Sequence, residues 1–160
     1  MQGARAPPTG AVVGTALSTG PVLPDAARVD RMLHSTDVAD LGGLRVASEV
    51  THDAFILHLD GELDLAGAPR LGTAVEASQS GPGSALPLVL DLSGVSFMDS
   101  TGVRALIDAA RLSRERDRPF ALFRPSSAVA RVLDLVDLRR TFVELEAIDA
   151  ESVARAAQGP

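Results

Sequence analysis

The run Asp99-Ser100-Thr101-Gly102 places one carboxylate and two hydroxyl groups next to one another. Such groups can act as acid, nucleophile or phosphate acceptor, and Asp99 or Ser100 can instead simply cap a helix by accepting a backbone N–H bond. An aspartic protease needs a second carboxylate that shares a proton, and its acid is followed directly by a hydroxyl residue and Gly. Here one residue too many intervenes, so the pattern disfavours that class of enzyme.

Other catalytic and metal sites are also disfavoured. A serine hydrolase elbow requires Gly two residues before the nucleophile, whereas Met98 precedes Ser100, and no histidine lies in a triad context. A phosphate-binding P-loop needs Lys, which the chain lacks. His34, His52 and His58 are too scattered to predict a metal site. We therefore expect no enzymatic activity, no metal and no cofactor.

The flanking residues predict which elements hold Ser100. The apolar run 88–90 indicates a buried strand, and residues 91–98 a loop that crosses to a helix. Ser100 then lies at the helix N-terminus, where free N–H groups and the macrodipole favour an anion by about 0.3–1 kcal/mol. A phosphoserine would be tolerated there. The buried stripe of this helix is predicted to be Val103, Leu106, Ile107 and Ala110.

The rest of the chain alternates between strand and helix patterns. Residues 44–49 and 55–59 predict a hairpin, and 66–78 predicts a helix with Pro69 in its first turn. Further strands are expected at 120–123 and 142–145. Further helices are expected after Ser126 or Ser127 and after Asp149. This order predicts an α/β fold, in which a mixed sheet is covered by helices mainly on one side.

Composition limits the partners. The 160 residues fit one domain with a tail, and 46% hydrophobic residues suffice for a core. A net charge of -6 and the lack of Trp and Tyr argue against nucleic acid. No apolar run approaches the roughly 18 residues of a membrane span, and there is no Cys for disulfides. We expect a cytoplasmic protein with no membrane partner, a monomer or weak dimer.

Three motifs in order closely resemble one family. Residues 91–103 resemble the signature of the STAS domain, specifically of the anti-sigma factor antagonists of bacterial partner-switching systems. Residues 59–64 resemble the turn after the second strand of that family, and residues 131–138 its last helix. The resemblance implies a STAS-type mixed sheet of four to five strands over 42–158. Residues 1–41 are expected to form a flexible extension rich in Pro, Gly and Ala, with a short amphipathic piece at 25–33.

The resemblance implies a regulatory switch rather than catalysis. The serine after the signature Asp is phosphorylated by the partner, an anti-sigma factor with serine kinase activity, and here that residue is Ser100. The unphosphorylated antagonist captures the anti-sigma factor and releases the sigma factor, and a PP2C-type phosphatase restores it. Thr101 stands where a second serine is commoner in the family, so Thr101 is the less favoured acceptor.

Several neighbours of Ser100 are candidate partner contacts. Asp60, Glu62 and Asp64 would pair with Arg or Lys of the partner, although Gly61 and Asp64 could instead only shape the turn and cap the first helix. Phe97 and Met98 either face the partner or pack under the loop. The alternative function is a non-switching STAS module, a scaffold or ligand-binding subunit of a stressosome-like or transporter complex. The full set of expected partner-binding residues is Asp60, Gly61, Glu62, Asp64, Phe97, Met98, Asp99, Ser100, Thr101 and Gly102.

Overall fold

A computed structural model describes residues 43–158 of the chain. They form one five-stranded mixed sheet in which the strands lie in chain order. The first two strands are antiparallel, as the hairpin prediction requires, and all later neighbours are parallel. The predicted extension 1–41, with its amphipathic piece, lies outside the described residues. The strands are β1 (Arg45–Val50), β2 (Phe55–Leu63), β3 (Leu88–Met98), β4 (Phe120–Phe123) and β5 (Glu144–Leu145).

Helices follow the strands in the predicted order, which confirms the α/β fold. Asp99, Ser126 and Asp149 each accept backbone N–H bonds at a helix start, because a short polar side chain satisfies donors that have no partner in the first turn. A 3-10 turn at Arg139–Thr141 precedes β5. The helices are α1 (Ala68–Ala77), α2 (Ser100–Arg114), α3 (Ser127–Leu135) and α4 (Ala150–Ala156).

The core has two parts, one on each face of the sheet. The larger part lies under α1, α2 and α3, and the smaller one lies under α4. Alternation along β3 explains the division, because successive side chains of a strand point to opposite faces. Leu88 and Leu90 enter the larger core, whereas Val89 between them enters the smaller one. The prediction that the helices cover mainly one side is therefore confirmed.

One buried cation fastens the long loop between α1 and β3. Arg118 is 5% exposed, and its guanidinium donates to the carbonyl oxygens of Ser78, Gly83 and Leu86. It also lies 5.3 Å from the ring centroid of Phe55. Burial lowers the pKa of Arg118 to about 10. The five donors of the guanidinium fork suit this set of neutral acceptors.

The predicted loop at 91–98 is wrong, because β3 continues to Met98. The polar residues Ser93 and Ser96 and the intervening Gly94 interrupt the apolar pattern, yet this stretch pairs with the end of β2. Register shifts accompany the interruption, as expected where a bulge adds a residue to one strand. β2 itself runs on to Leu63 through the predicted turn. The two strands thus end side by side, and β4 stops short of them.

The stripe predicted for α2 needs one correction. Val103 and Leu106 are buried as expected, but Ile107 is 40% exposed. Ala109, rather than Ala110, is the next fully buried position. The buried face thus follows the spacing of 102, 106, 109 and 113, which turns Ile107 away from the sheet.

Candidate functional site

Ser100 is the first residue of α2 and follows the end of β3 after one residue. Its side chain is exposed, and its hydroxyl makes no hydrogen bond within residues 43–158. Asp99 caps the helix, since its Oδ1 accepts from the backbone N–H groups of Thr101 at 2.8 Å and Gly102 at 3.0 Å. The predicted position of Ser100 at a helix start is confirmed. The capping role falls to Asp99 and leaves the Ser100 hydroxyl unengaged.

The two neighbouring hydroxyl residues differ in accessibility. Thr101 is half-buried and lines a groove of about 170 Å³ between α1 and α2. Arg104 and Asp108 line the same groove further along α2. Of the two hydroxyls, that of Ser100 is therefore the better placed for an enzyme to reach.

Gly102 lets α2 start in close contact with the end of β2. A Cβ at this position would lie 2.1 Å from the carbonyl oxygen of Leu63 and 2.7 Å from Cγ of Met98. Met98 is itself only 3% exposed. Both residues are buried, and of the two roles considered for Met98 this favours packing under the loop. They fix the position of the helix start.

Several exposed side chains lie where β2 and β3 end and α2 begins. Glu62 pairs across the β2–β3 ladder with Phe97, and the Glu62 carboxylate has no partner among the described residues. Phe97 is 49% exposed, and Leu65, in the turn after β2, is 75% exposed. Leu65 was not predicted, although an apolar residue in a polar turn is a signal that could have identified it. We call Glu62, Leu65, Phe97 and Ser100 the switch surface.

The other acidic candidates are engaged within the chain. Asp60 forms an ion pair of 2.6 Å with Arg45, its register partner on β1. Oδ1 of Asp64 accepts from the backbone N–H groups of Ala66 and Gly67, both at 2.9 Å. Asp64 therefore shapes the turn, but it does not cap α1, whose N-cap has no side-chain hydrogen bond.

Gly61 shapes the backbone at the end of β2. It has a φ of +111°, a conformation that residues with a Cβ rarely adopt. A Cβ would also lie 2.5 Å from the carbonyl oxygen of Gly43. Both observations favour the role of shaping the turn for Gly61 over the role of contacting the partner.

A polar cluster lies on the face of the sheet that carries the smaller core, to which Ile56 and Val89 also point. Nδ1 of His58 is 2.9 Å from Oδ2 of Asp91, and Nε2 is 3.0 Å from Oε2 of Glu49. Both contacts are hydrogen bonds only when the imidazole carries two protons. Burial alone would raise the pKa of Asp91, but hydrogen bonds from Ser93 and His58 outweigh it and hold that pKa below its ordinary value of 3.8. The cluster joins β1, β2 and β3.

In the acid range, the free energy of unfolding of the Asp91→Asn variant is expected to depend less on pH than that of the wild type. A carboxyl group whose pKa is lowered by folding contributes stability that is complete above the unfolded pKa and is lost as pH falls through the folded pKa. The wild-type free energy of unfolding, measured by urea denaturation, should therefore fall more steeply than that of the variant between about pH 5 and pH 2. Parallel profiles would contradict this assignment.

Residues 43–158 contain no group of three or more His, Asp or Glu side chains placed to hold a metal ion. In the same range, no helix has both the length and the apolar character needed to cross a membrane.

Comparisons with known proteins agree on one family. A model of the STAS domain family matches residues 45–152. Anti-sigma-B factor antagonists of Listeria monocytogenes and Listeria innocua are each 32% identical over 98 residues, which cover 59% of this chain and 83% of the relative. The crystal structure of an anti-sigma factor antagonist from Mycobacterium paratuberculosis superposes with a TM-score of 0.59 at 24% identity, covering 74% of this chain and 98% of that one. The last likeness supports the fold alone.

Proposed function

The chain belongs to the STAS domain family, and from that premise we propose that it is an anti-sigma factor antagonist switched by phosphorylation of Ser100. Its curated relatives are anti-sigma-B factor antagonists, which are regulators rather than catalysts. We further propose that its partners are an anti-sigma factor with serine kinase activity and a PP2C-type phosphatase.

This proposal rests on the exposure and the lack of hydrogen bonds of the Ser100 hydroxyl. It is exposed and has no hydrogen-bond partner within the described residues, because Asp99 performs the capping that a serine at this position could have performed. Exposed Leu65 and Phe97 lie at the same edge of the sheet. Exposed apolar side chains at the end of the sheet where α2 begins suit a partner that both binds there and modifies the free hydroxyl.

Phosphorylation would reverse binding through charge. The γ-phosphoryl group of ATP moves to Oγ of Ser100, so the bond from phosphorus to the ADP oxygen breaks, a new O–P bond forms, and the hydroxyl proton leaves. The product carries about -1.5 to -2 charges at pH 7. Desolvating a group of that charge against the partner costs more than ordinary contacts supply, even where one cation of the same chain lies beside it. Hydrolysis by the phosphatase releases inorganic phosphate and restores the hydroxyl.

Glu62 is the acidic residue best placed to contact the partner. Its carboxylate is exposed and unpaired within residues 43–158, and it pairs across the ladder with Phe97. A basic side chain of the partner could therefore bind it without first displacing an intrachain contact. Asp60 and Asp64 would have to give up contacts within the chain to do the same.

Intact mass after incubation with a candidate anti-sigma factor kinase and ATP tests the modification. We expect the chain to gain one phosphoryl group that fragmentation maps to Ser100, because the Ser100 hydroxyl is more exposed than that of Thr101. Ser100→Ala should abolish the gain, and the matched variant Thr101→Val should retain it. Phosphate on Thr101, or an unchanged gain in Ser100→Ala, would refute Ser100 as the acceptor.

A further inference from the structure

We infer that Arg104 is the intramolecular counterion of the phosphate on Ser100, an inference that rests on the function proposed above. Arg104 lies four residues after Ser100 in α2, and side chains at this spacing are neighbours on one helix face. Its side chain is 84% exposed and free to change rotamer. It is also the only arginine in the first two turns of α2.

The backbone at the helix start does not provide this counterion. Oδ1 of Asp99 already accepts from the N–H groups of Thr101 and Gly102. A phosphate on Ser100 could reach these donors only by displacing Asp99, and the Asp99 carboxylate adds a like charge beside it. Among the described residues, the backbone N–H of the helix start that remains free is that of Ser100 itself, so further compensation has to come from a side-chain cation.

The existing contact of Arg104 is weak and easily exchanged. Its Nε lies 4.0 Å from Oδ2 of Asp108, at the outer limit of an ion pair. Asp108 also faces Arg111 at 3.8 Å, so it keeps a cationic neighbour when Arg104 leaves. The order of charges points the same way, since an anion placed four residues before a cation is favoured over the reverse. Arg104 follows Ser100 in the favoured order and precedes Asp108 in the unfavoured one.

If Arg104 exchanged Asp108 for the phosphate, the side chains that line the neighbouring groove would change as well as the local charge. Thr101, Arg104 and Asp108 line the groove between α1 and α2 next to the switch surface. When Arg104 turns towards Ser100, Asp108 is left with Arg111 at the rim. This exchange would therefore change which side chains line the groove.

Phosphorus NMR of the full chain tests this inference. Phosphoserine is installed at position 100 during synthesis by codon suppression, so no kinase is needed, and the pH midpoint of its second ionisation is measured. A nearby cation favours the dianion, so Arg104→Gln should raise the midpoint by about 0.15–0.4 pH unit, and Arg104→Lys should restore most of the difference. The shift should shrink in 1 M salt, where the Debye length falls to about 3 Å.

Arg114→Gln is the matched control, because it removes the same charge from the same helix about 21 Å along the axis from Ser100. Within the described residues Arg114 makes no ion pair with Asp108. This variant should leave the midpoint unchanged. Equal midpoints for wild type and Arg104→Gln would overturn the role of Arg104 while leaving Ser100 as the natural acceptor. Conversely, a shifted midpoint combined with no kinase modification of Ser100 would refute only the proposed function.

Discussion

Ser100→Asp is expected to weaken binding to the anti-sigma factor kinase on the order of a hundredfold, whereas Ser100→Ala should bind as tightly as wild type. A carboxylate on the switch surface, which also exposes Phe97 and Leu65, must be desolvated by the partner, and that costs several kcal/mol even beside a cation of the same chain. Removal of the hydroxyl costs little, because it has no hydrogen bond to lose among the described residues. Isothermal titration calorimetry gives the dissociation constants directly.

Ser127→Asp is the matched control for this change. Ser127 is the exposed first residue of α3, so the variant adds the same charge at the same helix position but at another helix. It should bind like wild type. If Ser100→Asp and wild type bind equally well, the chain is not a switch of this kind, and a non-switching scaffold or ligand-binding module becomes the better description. If both Asp variants lose binding, the effect is one of net charge rather than of the switch surface.

Gly102→Ala is expected to lower the free energy of unfolding by about 2–4 kcal/mol, as overpacking against a rigid neighbour does. The added methyl group would lie 2.1 Å from the backbone carbonyl oxygen of Leu63, which cannot rotate away as a flexible side chain could. Either the start of α2 or the end of β2 must move. Both carry residues of the switch surface, so the variant should also bind the partner more weakly.

Gly72→Ala makes the same chemical change but is expected to raise the free energy of unfolding. Gly72 lies within α1, and nothing lies within 4 Å of the position its Cβ would take. Ala is the better helix former, so this variant should be more stable by about 0.5–1 kcal/mol. Urea denaturation of both variants measures the difference. If the two substitutions changed stability alike, the close approach of α2 to β2 would not be the cause.

Local patterns were sufficient to predict the order of elements but not their extent. The apolar run 88–90 correctly predicts a strand, while Ser93, Gly94 and Ser96 break the alternation that would have predicted the remainder of β3. That remainder is a strand because β2 lies beside it, with register shifts that accommodate the extra residues. Such pairing depends on residues more than 30 positions away, which a local pattern does not contain.

The candidate site also combines features that the local sequence predicts with features that depend on tertiary structure. The position of Ser100 at a helix start follows from neighbouring residues alone, because a helix stripe begins directly after it. The ion pair between Arg45 and Asp60 depends instead on the register of β1 against β2. Burial of Met98 beneath the helix start depends on how closely α2 approaches β2, which Gly102 permits. These facts belong to tertiary structure, and they decide which acidic and apolar residues remain available to a partner.

The contacts of Arg118 determine the order in which parts of this domain can fold during synthesis. The loop at 79–87 is held by a guanidinium that lies about 30 positions later in the chain. During synthesis from the N-terminus, all of β3 and α2 leaves the ribosome before Arg118 does. The loop therefore reaches its final form only after the strand and the helix that follow it have been made. The loop can adopt its final conformation only once Arg118 has been synthesised, which happens later than the synthesis of its own last residue.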